Sequence, residues 1–119
     1  MVTSISNTDV IENLRQELRR GCLILGVLGA LRNEQYGYTL RKELAERGIE
    51  IDESTLYPLL RRLESQGLLK SQWREEDKRN KRFYRLSEPG KDALEQLAGE
   101  WRELNGAIND IISGKKIKV

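Results

Sequence analysis

Residues 52–69 read DESTLYPLLRRLESQGLL, and the fold turns on whether this run is a helix despite the proline inside it. Leu56, Leu60 and Leu63 recur at helical spacing with Leu59 beside them, so a helix would turn one apolar stripe toward a core. Asp52 has the short acceptor side chain of an N-cap, and Gly67 suits the position that closes a helix. Pro58 lies only about one and a half turns beyond that cap, where it deletes one backbone hydrogen bond and a bend can be absorbed. A mid-helix proline costs about 3 kcal/mol, which packing of the leucines can offset. The run is therefore read as a helix over 53–67. Its outward face carries Ser54, Thr55, Tyr57, Arg61 and Arg62.

Just upstream, YTLRKELAERG at 38–48 predicts a short helix with Leu40 and Leu44 inward and Gly48 at its end. Gly37, in NEQYGY, breaks the pattern before it. Two helices joined by the brief link GIEID have the spacing of a helix-turn-helix. A first helix opens near Thr8 or Asp9, with Ile11, Leu14 and Leu18 on one stripe among charged neighbours, and runs to about Leu31. From Cys22 onward it is apolar all round, so Cys22 is expected to be a buried, inert small hydrophobe.

Downstream of Gly67, residues 69–74 and 82–86 read as a two-stranded hairpin, with REEDKRNKR as a charged loop at its tip. Ser87 can cap a last helix with Pro89 in its first turn, running to about Ser113. The expected class is mainly α with a two-stranded β-hairpin (α+β): a winged helix-turn-helix with long N- and C-terminal dimerisation helices. Residues 8–87 are read as the winged helix-turn-helix domain, 88–113 as the dimerisation helix packing with the first helix, and 114–119 as a flexible basic tail.

Composition removes whole classes of activity. The 119 residues include no histidine and one cysteine, Cys22, which excludes an internal disulfide, a Cys/His zinc site and imidazole catalysis. With no glycine-rich phosphate loop or convergent carboxylate pair, the chain is read as a non-enzyme needing no cofactor. Glu75, Glu76 and Asp77 at a flexible tip are not preorganised to share a metal ion. The N-terminus lacks a signal-peptide pattern and the longest apolar run, CLILGVLGAL, is about half a membrane span, so a cytoplasmic location without membrane contact is expected. Lys+Arg 21 against Asp+Glu 19 leaves a net charge of only +2, so charge placement has to carry any electrostatic argument.

That placement favours double-stranded DNA. Hydroxyls at the start of a helix can donate to phosphates, Tyr57 can reach a phosphate or thymine methyl, and Arg61 and Arg62 suit phosphate or the guanine edge. Tyr38, opening the second helix, is counted with them. At the hairpin tip, Lys78, Arg79 and Lys81 form a basic cluster that could follow a phosphate backbone or enter a minor groove. The final helix places Leu94, Leu97, Trp101, Leu104, Ile108 and Ile111 at 3, 4 spacing, a seam that wants a partner. Together with Leu14 and Leu18 of the first helix it is read as a homodimer interface. The rival reading is a winged-helix module that binds a protein partner and never meets DNA.

The segments YGYTLRKEL at 36–44, STLYPLLRRLESQGLL at 54–69, Trp73 and RFYRLSEPGKDAL at 82–94 resemble the PadR family of bacterial transcriptional regulators. The similarity spans about residues 23–110. It implies a winged helix-turn-helix dimer that represses transcription at an inverted repeat and is released by a small molecule or other signal. The single long terminal helix resembles the small subfamily, in which a tryptophan of that helix stacks on flat aromatic ligands at the dimer centre. The resemblance sets Trp101 at that position, with Leu18, Cys22, Asn105 and Ile108 as neighbours matched by place and not by residue type.

Overall fold

The structure, a computed structural model, describes residues 7–117. The chain order is α1 (Asn7–Ala30), β1 (Gln35–Tyr36), α2 (Gly37–Glu46), α3 (Glu53–Ser65), β2 (Leu69–Glu76), β3 (Arg79–Leu86) and α4 (Glu88–Ser113). The fold is thus mainly helical with a small antiparallel sheet, as the winged-helix reading requires.

α3 forms as its sequence dictates. The Asp52 side chain accepts from the Thr55 N–H, and the Asp52 carbonyl accepts from the Leu56 N–H at 2.9 Å. Pro58 sits inside the helix, and the bond it deletes is the one to the Ser54 carbonyl, on an exposed residue that water can satisfy. Gly67 follows the helix at φ +83, a conformation that glycine adopts without strain.

The wing differs from the expected pair of strands in two ways. The sheet has three strands in the order β1-β3-β2, because Gln35 pairs with Tyr84 and Tyr36 with Phe83. The glycine that was to break the pattern, Gly37, instead opens α2 directly after β1, with Tyr36 as its N-cap. Nor is the tip a loop: β2 and β3 stay paired as far as Glu76 and Arg79, joined by Asp77 and Lys78 alone. Both turn residues have positive φ, 53° and 64°, the mirror-image turn that matches the twist of a hairpin.

The core gathers Val27, Leu28 and Leu31 of α1, Leu40 and Leu44 of α2, the four leucines of α3, Leu69, Tyr84 and Leu86 of the sheet, and Leu94 of α4. Cys22 is exposed, contrary to expectation, since α1 does not reach full burial until Val27. An apolar sequence on all sides needs neighbours to bury it, and within the chain they arrive about one turn later.

α4 is bolted to the end of α3. Buried Ser87 donates through Oγ to the Gly67 carbonyl at 2.5 Å, accepts from the Gly90 N–H at 3.0 Å, and donates its own N–H to the Leu68 carbonyl at 3.1 Å. A Cβ on Gly90 would run into the Leu68 carbonyl, so the close approach requires glycine there.

Candidate nucleic-acid interface

Two elements frame the candidate site, the outward face of α3 and the hairpin beyond it. Ser54, Thr55, Arg61 and Arg62 are exposed. Ser54 Oγ donates to Asp52 Oδ1 at 2.7 Å, and the Thr55 N–H donates to the same oxygen at 2.9 Å. Hydrogen bonds from Ser54 and Thr55, with a smaller pull from Arg41, hold the Asp52 carboxyl below its ordinary pKa. In the isolated protein the hydroxyl of Ser54 therefore serves the cap, and a phosphate would have to compete for it. Arg41 braces this corner by donating to the Ile51 carbonyl and to Glu53 Oε1.

Tyr57 is half-buried, its ring lying over Gly37 at the start of α2. Between α3 and the hairpin runs a cleft of about 390 Å³, lined by Tyr57 and Arg61 of α3, by Trp73, Asn80 and Arg82 of the hairpin, and by Gly37 at the start of α2. Trp73, Asn80 and Arg82 were not picked out from sequence as site residues. Trp73 stands opposite Arg82 in the strand register and is 64% exposed, unusual for an indole that no core claims. Period-two alternation through 71, 73, 80 and 82 would have put them on one face, had the charged tip been read as strand.

Arg82 fixes the hairpin to α3. It donates to Glu64 Oε1 at 2.6 Å and to Ser71 Oγ at 3.0 Å, while Ser71 Oγ donates to Glu64 Oε2 at 2.5 Å. This closed, half-buried triad leaves Arg82 a positioner of the wing. Arg74 is ion-paired with Glu34 and lies 3.9 Å from the centroid of Phe83.

The three basic residues grouped at the tip divide. Lys78 occupies the turn and Arg79 the start of β3, both exposed. Lys81 is folded back, its ammonium 4.4 Å from the Tyr36 ring centroid, 3.6 Å from Glu76 and 3.7 Å from Asp77. Desolvation pushes its pKa down, but the Tyr36 hydroxyl and the two carboxylates outweigh it and the net shift is upward. Tyr38 is exposed and stacked on Tyr36, and borders a separate depression with Arg41, Lys42 and Asp52.

The apolar residues assigned to a seam also divide. Leu97, Trp101, Leu104, Ile108 and Ile111 are exposed along α4, and Leu14 and Leu18 along α1. Leu94 instead belongs to the protomer's own core, because the first turns of α4 pack against the domain. Of the residues placed around an aromatic ligand, Leu18, Cys22, Trp101, Asn105 and Ile108 are all exposed on the single chain.

Residues 24–96 match the family described as Transcriptional regulator PadR-like family. The chain is 36% identical over 101 residues to transcriptional regulator Rv3488 of Mycobacterium tuberculosis, covering 84% of this chain and 92% of that one. The crystal structure of a PadR family transcriptional regulator from Eggerthella lenta superposes with a TM-score of 0.81 at 41% identity, covering 88% of this chain and 94% of the other.

Proposed function

Since this chain belongs to the PadR-like family of transcriptional regulators, we propose that it binds an inverted-repeat operator in double-stranded DNA as a homodimer, represses transcription there, and is released by a small molecule. The observation that carries the reading is that the exposed guanidinium of Arg61 and the hairpin residues Trp73 and Asn80 line one cleft. A polar helix face and a flanking hairpin opening on the same side suit a duplex, with α3 in the major groove and the wing along the adjacent backbone. Arg61 and Arg62 take phosphate or a guanine edge, and Lys78 and Arg79 at the tip take phosphate. Lys81, already paired with Glu76 and Asp77, contributes less.

Dimerisation follows from the apolar face that α4 leaves exposed from Leu97 to Ile111, joined by Leu14 and Leu18 of α1. Two copies sharing that seam would set their α3 helices about one duplex turn apart, roughly 34 Å. A planar aromatic ligand stacked on Trp101, with Leu18, Cys22, Asn105 and Ile108 around it, would release DNA by preferring a dimer geometry with the wrong spacing. Its effect is bounded by its differential affinity for the two geometries. The site of action is the cytoplasm, with the chromosome.

Fluorescence anisotropy against duplexes that the protein selects from a random-sequence library tests the reading. Expected are retention of a palindromic sequence and affinity that falls steeply with salt. A protein that retains no duplex at low salt is instead the protein-binding module, and the proposal fails.

A further inference from the structure

We propose that Gly37 is a positioning residue for DNA recognition, acting through the ring of Tyr57. The inference rests on the DNA-binding reading above. Gly37 is buried at the first position of α2, and its φ lies outside the left-handed region, where only Gly48, Gly67 and Gly114 occur among the described glycines. Backbone conformation therefore does not require glycine here, and a residue with a side chain would lower the entropy of the unfolded chain. What glycine provides is room for the Tyr57 ring where it now lies. A Cβ on Gly37 would lie 2.5 Å from Tyr57 Cε1 and 2.8 Å from Cζ, with the phenol oxygen nearer still.

The ring thus lies against the bare backbone of α2. Arg61 stands one turn further along α3 and lines the same cleft as Tyr57, Trp73 and Asn80. A ring swung off Gly37 has that cleft as its open side, and there it would occupy the room that Arg61 and the duplex need. Gly37 itself need touch no base or phosphate. It gives the phenol a seat against α2 and so keeps the cleft open.

The test is a double-mutant cycle between Gly37→Ala and Tyr57→Ala, read by anisotropy on the duplex that the wild-type protein selects from a random library. Gly37→Ala is expected to weaken binding about tenfold. In the Tyr57→Ala background the same substitution is expected to change affinity less than about twofold. If Gly37→Ala alone fails to fold by circular dichroism, the double variant must fold, because the obstructing ring is gone. Equal losses in both backgrounds, a Gly37→Ala protein that binds as wild type, or a double variant that stays unfolded would each overturn the positioning role alone. A wild-type protein that selects no duplex overturns the DNA-binding reading, and this inference with it.

Discussion

α3 and the distal half of α4 carry apolar residues at the same helical spacing and meet opposite fates. Every leucine of the α3 stripe is buried, Leu56 and Leu60 completely, whereas the α4 stripe is exposed from 39% at Leu97 to 75% at Ile111. α3 lies between α2 and the hairpin, capped by Asp52 and clamped through Glu64 to Arg82. α4 is anchored at its start by Ser87 and Gly90, is buried at Leu94 and half-buried at Ala98 and Gly99, and is exposed from Glu100 onward. An apolar stripe states that a helix needs a neighbour. Whether that neighbour is in the same chain is decided by where the preceding joint aims the helix.

The contrast can be broken most forcefully in α3. Leu60→Ala is expected to destabilise the fold by about 3 kcal/mol, since a fully buried leucine leaves a cavity in a shared core, and this is checked by urea unfolding. The matching change in α4, Leu104→Asp, is expected to leave circular dichroism of the protomer intact while sedimentation shifts to monomer. With bivalent engagement gone, operator affinity should fall about a hundredfold. A Leu104→Asp protein that still sediments as a dimer would move the seam elsewhere.

Within the wing the effects are smaller. Replacing Lys78 and Arg79 together by alanine should weaken binding to all duplexes and reduce the salt slope by about one for each phosphate left without its cation. Lys81→Ala should leave the slope near that of wild type, because its ammonium is engaged with Tyr36, Glu76 and Asp77. Equal slopes for both variants would contradict that division of the basic cluster.

The smallest effect concerns pH at the start of α3. The Asp52 carboxyl has a lowered pKa in the folded protein, so it binds protons less readily there than in the unfolded chain. Its contribution to stability is present above the unfolded carboxylate value and is lost as pH falls through the folded value. Asp52→Ala should therefore lower the melting temperature at neutral pH and narrow the difference from wild type as the solution is acidified.

Much of this was legible in order along the chain. The Asp52 and Ser87 caps, the Gly67 stop and the tolerated Pro58 are local features, settled by a few neighbouring residues, and the helices follow from them. β1 was not legible, because two residues have no period and Gln35 and Tyr36 are strand only through Tyr84 and Phe83. The paired tip was hidden by its charge, which reads as loop until Asp77 and Lys78 are seen to make the turn alone.

The candidate site divides along the same line. Exposure of Arg61, Arg62, Lys78 and Arg79 agrees with polar residues at outward positions. The withdrawal of Lys81, the half-burial of Tyr57 against Gly37, and the placing of Trp73 and Arg61 along one cleft needed three dimensions. By itself the sequence determined the helices, their ends and which faces are apolar, since capping, proline placement and periodicity act within a turn or two. Only the tertiary structure decided which apolar face is satisfied within the chain and which charge is already paired, because both depend on residues brought together from distant parts of the sequence.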